Sequence, residues 1–104
     1  MQLSGAKVML TGKQKRFLRG LGHGLKPVVM VGKNEVNDAL TVETAAALAV
    51  HELIKVKVLE SCEMDRHEVA ESLAKAAGAE VAQVLGRTFL IYRQGEEPKI
   101  ELPK

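Results

Sequence analysis

The first 33 residues carry seven bases, Lys7, Lys13, Lys15, Arg16, Arg19, Lys26 and Lys33, and no Asp or Glu; the first acid is Glu35. Residues 34–104 hold the other eight bases against all 13 acids, hence −5, in a chain whose formal charge is +2. A segment this one-sided sets up a local positive field although the whole is near neutral. Polyanions are its natural ligands, nucleic acid first and an anionic membrane surface second. A solvated basic helix that aids solubility is the plainer alternative. Gly32-Lys33-Asn34 is the second feature able to do chemistry. It lies between an apolar run and a helical segment, where glycine lets a phosphate approach main-chain N–H groups and Lys33 adds charge. An ordinary strand-to-helix turn is the competing reading.

Catalytic chemistry finds little support. His23, His51 and His67 are scattered and form no triad or metal spacing. Cys62 and His67 lack the two further ligands a structural zinc needs. Gly20, Gly22 and Gly24 precede an apolar strand, whereas the glycines of a dinucleotide-binding loop follow one. His51 reads as a helix-finishing residue that complements the dipole, and His67 as an exposed helix residue. No catalytic residue, metal or cofactor is therefore expected.

These residues need a scaffold. A chain of 104 residues makes one domain, and 46% hydrophobic with 27% charged residues is ordinary globular composition. No apolar run approaches a membrane span, and the N-terminus has no long apolar stretch of the signal-peptide kind. The lone Cys62 precludes an internal disulfide and suits a reducing cytosol, so a cytoplasmic protein is expected. Three aromatics, Phe17, Phe89 and Tyr92, are too few for a broad base-stacking platform.

Residues 1–10 read as a loose leader, with Met9 a second candidate start. Thr11 and Gln14 form a T-x-x-Q capping box that opens a helix over residues 11–25. At about 100° per residue, Phe17, Leu18, Leu21 and Leu25 share one arc, with Lys13, Lys15, Arg16, Arg19 and His23 filling most of the other side. Pro27 stops this helix. Pro27–Val31 reads as a buried strand, Gly32–Glu35 as a turn, and residues 36–50 as an Ala-rich helix. Leu53–Leu59 alternates, with Ile54, Val56 and Val58 on one face and Lys55 and Lys57 on the other. Asp65 caps a helix over Arg66–Ala77 that ends at Gly78. Glu80–Leu85 and Thr88–Arg93 form a hairpin around Gly86-Arg87. Phe89 and Tyr92 fall on opposite faces of its second strand, one of them in the core. Residues 94–104 read as a frayed tail. The order α-β-α-β-α-β-β predicts an α/β fold with a four-stranded mixed sheet packed by three helices, its β-α-β passages pairing strands in parallel.

Four blocks carry a resemblance: Thr11-Gly-Lys-Gln-Lys-Arg-Phe-Leu-Arg19, Lys26-Pro-Val-Val-Met-Val-Gly-Lys-Asn34, His51-Glu-Leu-Ile-Lys-Val-Lys-Val58 and Gly86-Arg-Thr-Phe-Leu-Ile-Tyr-Arg93. In this order and spacing, over about residues 10–93, the chain resembles the YhbY family, stand-alone bacterial versions of the CRM (chloroplast RNA splicing and ribosome maturation) domain. The resemblance implies an RNA-binding domain, residues 11–93, folded like the C-terminal domain of bacterial translation initiation factor three. It also implies association with ribosomal RNA in precursors of the large (50S) subunit and a role in their assembly; plant relatives serve group II intron splicing. The family's RNA-contacting turn is a G-x-x-G loop likened to that of KH domains. Gly32, Lys33 and Asn34 match its first three positions, whereas Glu35 stands where the family has glycine. A carboxylate there repels phosphate, unless it serves the start of the next helix.

The expected activity is thus non-catalytic RNA binding. Lys13, Lys15, Arg16 and Arg19 would neutralise phosphates, with Lys26, Gly32, Lys33 and Asn34 extending the track. Lys55 and Lys57 would join if their strand face is open; Arg87 and Arg93 are as readily structural. The partner is RNA, with ribosomal proteins as further candidates, no membrane, and a monomeric state. The alternative is a protein-interaction module whose basic helix docks an acidic partner.

Overall fold

The computed structural model describes residues 9–104; of the leader expected over residues 1–10, residues 1–8 lie outside them, and Leu10 is no loose residue, since it is buried and its N–H donates to Glu80 Oε1 at 2.9 Å. Three helices and four strands follow one another as α1 (Gly12–Gly22), β1 (Pro27–Val31), α2 (Asp38–His51), β2 (Leu53–Val58), α3 (Arg66–Ala77), β3 (Glu80–Leu85) and β4 (Thr88–Tyr92). The capping box holds as expected: Thr11 Oγ1 accepts the Gln14 N–H at 3.1 Å, and Gln14 Oε1 accepts the Thr11 N–H at 3.0 Å. Asp65 Oδ2 accepts the N–H groups of His67 and Glu68, and Gly78 ends α3 in the left-handed region at φ 71. The second helix starts two residues later than expected, because Asn37 is its cap and accepts the Leu40 N–H at 2.8 Å.

The strands form one mixed sheet in the order β1-β2-β4-β3. The first β-α-β passage gives the parallel neighbours β1 and β2. The second does not, since β4 inserts between β2 and β3 and is antiparallel to both. Burial explains the insertion. Thr88-Phe-Leu-Ile-Tyr92 is buried at four of its five positions and belongs in the interior of the sheet, whereas β3 is only partly buried and takes the edge.

Two apolar clusters lie on opposite faces. Helices α2 and α3 cover one, where Leu48, Val69 and Leu73 meet Val29, Val31, Ile54, Val56, Phe89 and Ile91. Helix α1 covers the other, where Leu10 and Leu18 meet Leu53, Ala82, Leu90 and Tyr92. Phe89 and Tyr92 are therefore both core residues, one per face, and Tyr92 offers no stacking surface.

Three further expectations are corrected. First, β1 is an edge strand open on one face, with Val28 and Met30 exposed; because those outward side chains are apolar too, PVVMV mimicked a fully buried run. Second, α1 packs through Leu18 and Gly22. Phe17 remains 39%, Leu21 45% and Leu25 38% exposed. Gly22 sets this orientation: a Cβ there would run into the Leu90 side chain, so the missing side chain lets α1 settle on β4.

Third, residues 94–104 are docked. Glu52, 1% exposed and held at φ 65, accepts the N–H groups of Gly95 (2.9 Å), Lys99 (3.0 Å) and Ile100 (3.0 Å) on its carboxylate. Burial, the largest influence, opposes ionisation of that carboxyl, but the three N–H donors and the Lys99 ammonium together outweigh it and hold its pKa below the ordinary value. Ile100 and Leu102 pack on the α1-side cluster, and Gln14 Nε2 donates to the Pro103 carbonyl at 3.0 Å. The tail thus runs antiparallel along one flank of α1.

Candidate nucleic-acid interface

Helix α1 carries Lys13 and Lys15 in its first turn, where its own dipole is already positive, Arg16 near its middle and Arg19 in its last turn. No acid occupies its first turn, and Lys13, Lys15 and Arg16 sit in its N-terminal half. Like charge at that end costs helix stability, so the placement serves the field outside the helix. Among the described residues no Lys or Arg forms an ion pair with Asp or Glu; the only pair is His67 with Asp65 at 3.6 Å. Lys13 Nζ donates to the Lys104 carbonyl at 3.5 Å, and Arg16 and Arg19 stay free of carboxylate partners among the described residues.

Lys13 and Arg16 are exposed on the outer surface of α1, with Arg19 half-exposed beside them. Lys15 turns away: it is half-buried and lines a hollow shared with Glu68, Glu71 and Glu80. Lys26 and Lys33 flank β1 at its two ends, about 20 Å apart along the strand. The register fills the gap between them. Lys55 partners Pro27 and Lys57 partners Met30, on the sheet face that α1 leaves partly bare. These two lysines, conditional in the sequence, thus link the helix to the turn. Their signal was the alternation in Leu53–Leu59; which face would be open depended on where α1 lands. Arg93 is structural, since its guanidinium donates to the carbonyls of Ala77 at 3.0 Å and Ala45 at 3.3 Å and so ties α3 to α2.

The turn is a tight one, closed by the Glu35 N–H donating to the Gly32 carbonyl at 2.9 Å. Lys33 and Asn34 are exposed on it. Gly32 answers to packing, because a Cβ there would stand 3.2 Å from Ser61 Oγ. Glu35 lies at φ 55, in the left-handed region that favours glycine. The cap of α2 is Asn37 and its first-turn acid is Asp38, so Glu35 holds neither position. Glu35 and Glu43 instead line the same shallow hollow as Lys33 and Asn34, which weakens the turn as an anion site relative to α1.

A mixed four-stranded sheet, backed by two helices and faced by one unpaired cationic helix with a glycine turn after its edge strand, defines a small α/β module with a one-sided basic surface. The chain belongs to the CRS1/YhbY (CRM) domain family, whose model matches residues 10–93. It is 50% identical over 96 residues to a Bacillus subtilis protein named "Probable RNA-binding protein YqeI", covering 91% of this chain and 100% of the relative. A Haemophilus influenzae protein named "RNA-binding protein" is 40% identical, with 91% and 96% covered. Among solved structures, that of a Staphylococcus aureus protein superposes with a TM-score of 0.78 at 44% identity, covering 91% of this chain and all of that one.

Proposed function

We propose that this protein is a non-catalytic RNA-binding protein that associates with ribosomal RNA in precursors of the large ribosomal subunit and acts in their assembly in the cytoplasm. The observation that carries RNA binding is the cationic face of α1, which among the described residues makes no ion pair with Asp or Glu. The names of the B. subtilis and H. influenzae relatives support the same ligand. The ribosomal assignment rests on membership of the CRM family and on its implied role. Contacts run mainly to phosphates, because the cations outnumber the exposed aromatics and Phe89 and Tyr92 are buried.

Sedimentation of lysate at low and high salt tests this reading. Co-migration with large-subunit precursors at low salt and release at high salt supports it. Migration at the top of the gradient in both conditions overturns the ribosomal part. Binding of purified RNA that does not fall as salt rises overturns the phosphate-binding part.

A further inference from the structure

Beside the cationic face of α1 lies a groove of about 430 Å³ that phosphate binding leaves unexplained. Leu21, Leu25 and Val28 line it, each more than a third exposed to solvent. Lys26, Lys55 and His51 also border it, and no carboxylate-bearing side chain does. Ile100 of the docked tail forms part of its wall, so the tail that Glu52 holds in place helps to shape the groove. Monomeric proteins seldom leave apolar surface of this kind contiguous without a ligand for it. Leu21 lies one helical turn from Phe17, the one aromatic residue of the chain with substantial exposure, and Phe17 in turn lies one turn from Lys13.

Apolar floor, cationic rim and absence of acid are the complement of a nucleotide, whose base presents a flat π-face and whose flanking phosphates carry the charge. We propose that this groove takes an unstacked nucleobase of the bound RNA strand, with the adjoining phosphates held by Lys26 and Lys55. The inference rests on the RNA-binding reading above and adds a preference for single-stranded or looped RNA over a regular duplex, whose bases are stacked away. Phe17 extends the same apolar strip toward Lys13 and offers a stacking face to a neighbouring base.

The full chain, labelled at its Leu and Val methyl groups, is titrated at low salt with a short oligoadenylate and with an abasic oligonucleotide of equal length. The oligoadenylate is expected to shift the methyl signals of Leu21, Leu25 and Val28 and to bind about tenfold more tightly than the abasic strand. Leu25→Ser, at a site exposed enough to leave the fold intact in a thermal melt, is expected to remove most of that difference while leaving the salt slope unchanged. Lys26→Gln with Lys55→Gln is expected to lower the slope by about 1.4, at roughly 0.7 per phosphate contact on a single strand. Equal affinity for both strands with unmoved groove methyls overturns the base site while leaving phosphate binding by α1 standing. Groove methyls that respond to an acidic, leucine-rich peptide and not to the oligoadenylate assign the groove to a protein and overturn it as well. Failure of every RNA to bind at low salt removes the RNA-binding reading itself, and the base site with it.

Discussion

Glu35 occupies a backbone position that suits glycine and brings a carboxylate to a turn that would otherwise welcome phosphate. Left-handed backbone costs a non-glycine residue about 1–2 kcal/mol, of which glycine's greater freedom when unfolded returns about 0.5–1. Glu35→Gly is therefore expected to stabilise the fold by about 0.5–1 kcal/mol in a urea melt and to tighten RNA binding. Glu35→Asn separates the two causes, because it removes the charge yet tolerates left-handed backbone. A gain in affinity shared by both variants assigns the effect to the carboxylate, and a gain in the glycine variant alone to backbone approach. No gain in either sinks this account of position 35. Tyr92 is a second residue-scale test. Its hydroxyl is buried with no hydrogen-bond partner among the described residues, and burial, helped by the nearby Glu52 charge, pushes its pKa up so that it stays a phenol. Tyr92→Phe is expected to leave stability unchanged or raise it by up to about 1 kcal/mol; a clear loss in calorimetry would show that the hydroxyl is bonded in solution.

Among the elements, the docked tail depends on one side chain. Glu52→Gln keeps the shape but replaces an oxygen that accepts N–H groups with an amide that donates, and a loss of about 2 kcal/mol is expected on chemical denaturation. The pH dependence has a definite sign. A carboxyl whose folded pKa lies below its ordinary value of 4.5 contributes stability above that pH and loses it as pH falls through the folded value. The wild type should therefore release its tail in acid, read as lost amide protection at Gly95, Lys99 and Ile100, while Glu52→Gln shows a flatter profile below pH 4.5. Equal acid profiles would contradict the clasp. At the α1–sheet contact, Gly22→Ala gains helix propensity of about 1 kcal/mol but forces Leu90 out of its packed position, so a net loss of about 1 kcal/mol is expected in a thermal melt.

For the molecule as a whole, Arg16→Glu with Arg19→Glu is expected to lower RNA affinity at low salt and to reduce the slope of log affinity against log salt by about 1.4–1.8. An unchanged slope would place the phosphates elsewhere. What the sequence could reveal followed how local each determinant is. Helix starts at Thr11 and Asp65 and the stop at Gly78 were readable because a cap and its hydrogen-bond partners lie within four residues of each other. The order of the strands was not, because β4 wins its interior place through burial on both faces. The tail was missed for the same reason: its acceptor, Glu52, lies 43 to 48 residues away in the chain. In the candidate site, the cations of α1 were legible from charge alone. The exposure of Phe17 and Leu21 was not, since it depends on Gly22 turning the helix over Leu90.

The place of β4 also sets the order in which the protein can assemble as it is made. Strands β1 and β2 lie near each other in the chain and can pair around α2 as soon as both have been synthesised. Strand β3 comes next yet has no neighbour to join, since among the described residues its only partner is the strand that follows it. The nascent chain must then carry the exposed edge of β2 and the apolar flank of α3 until Tyr92 emerges. One late step, the slotting of the last strand into the middle of the sheet, completes both faces at once and raises the α1 surface from a tethered helix to a fixed one.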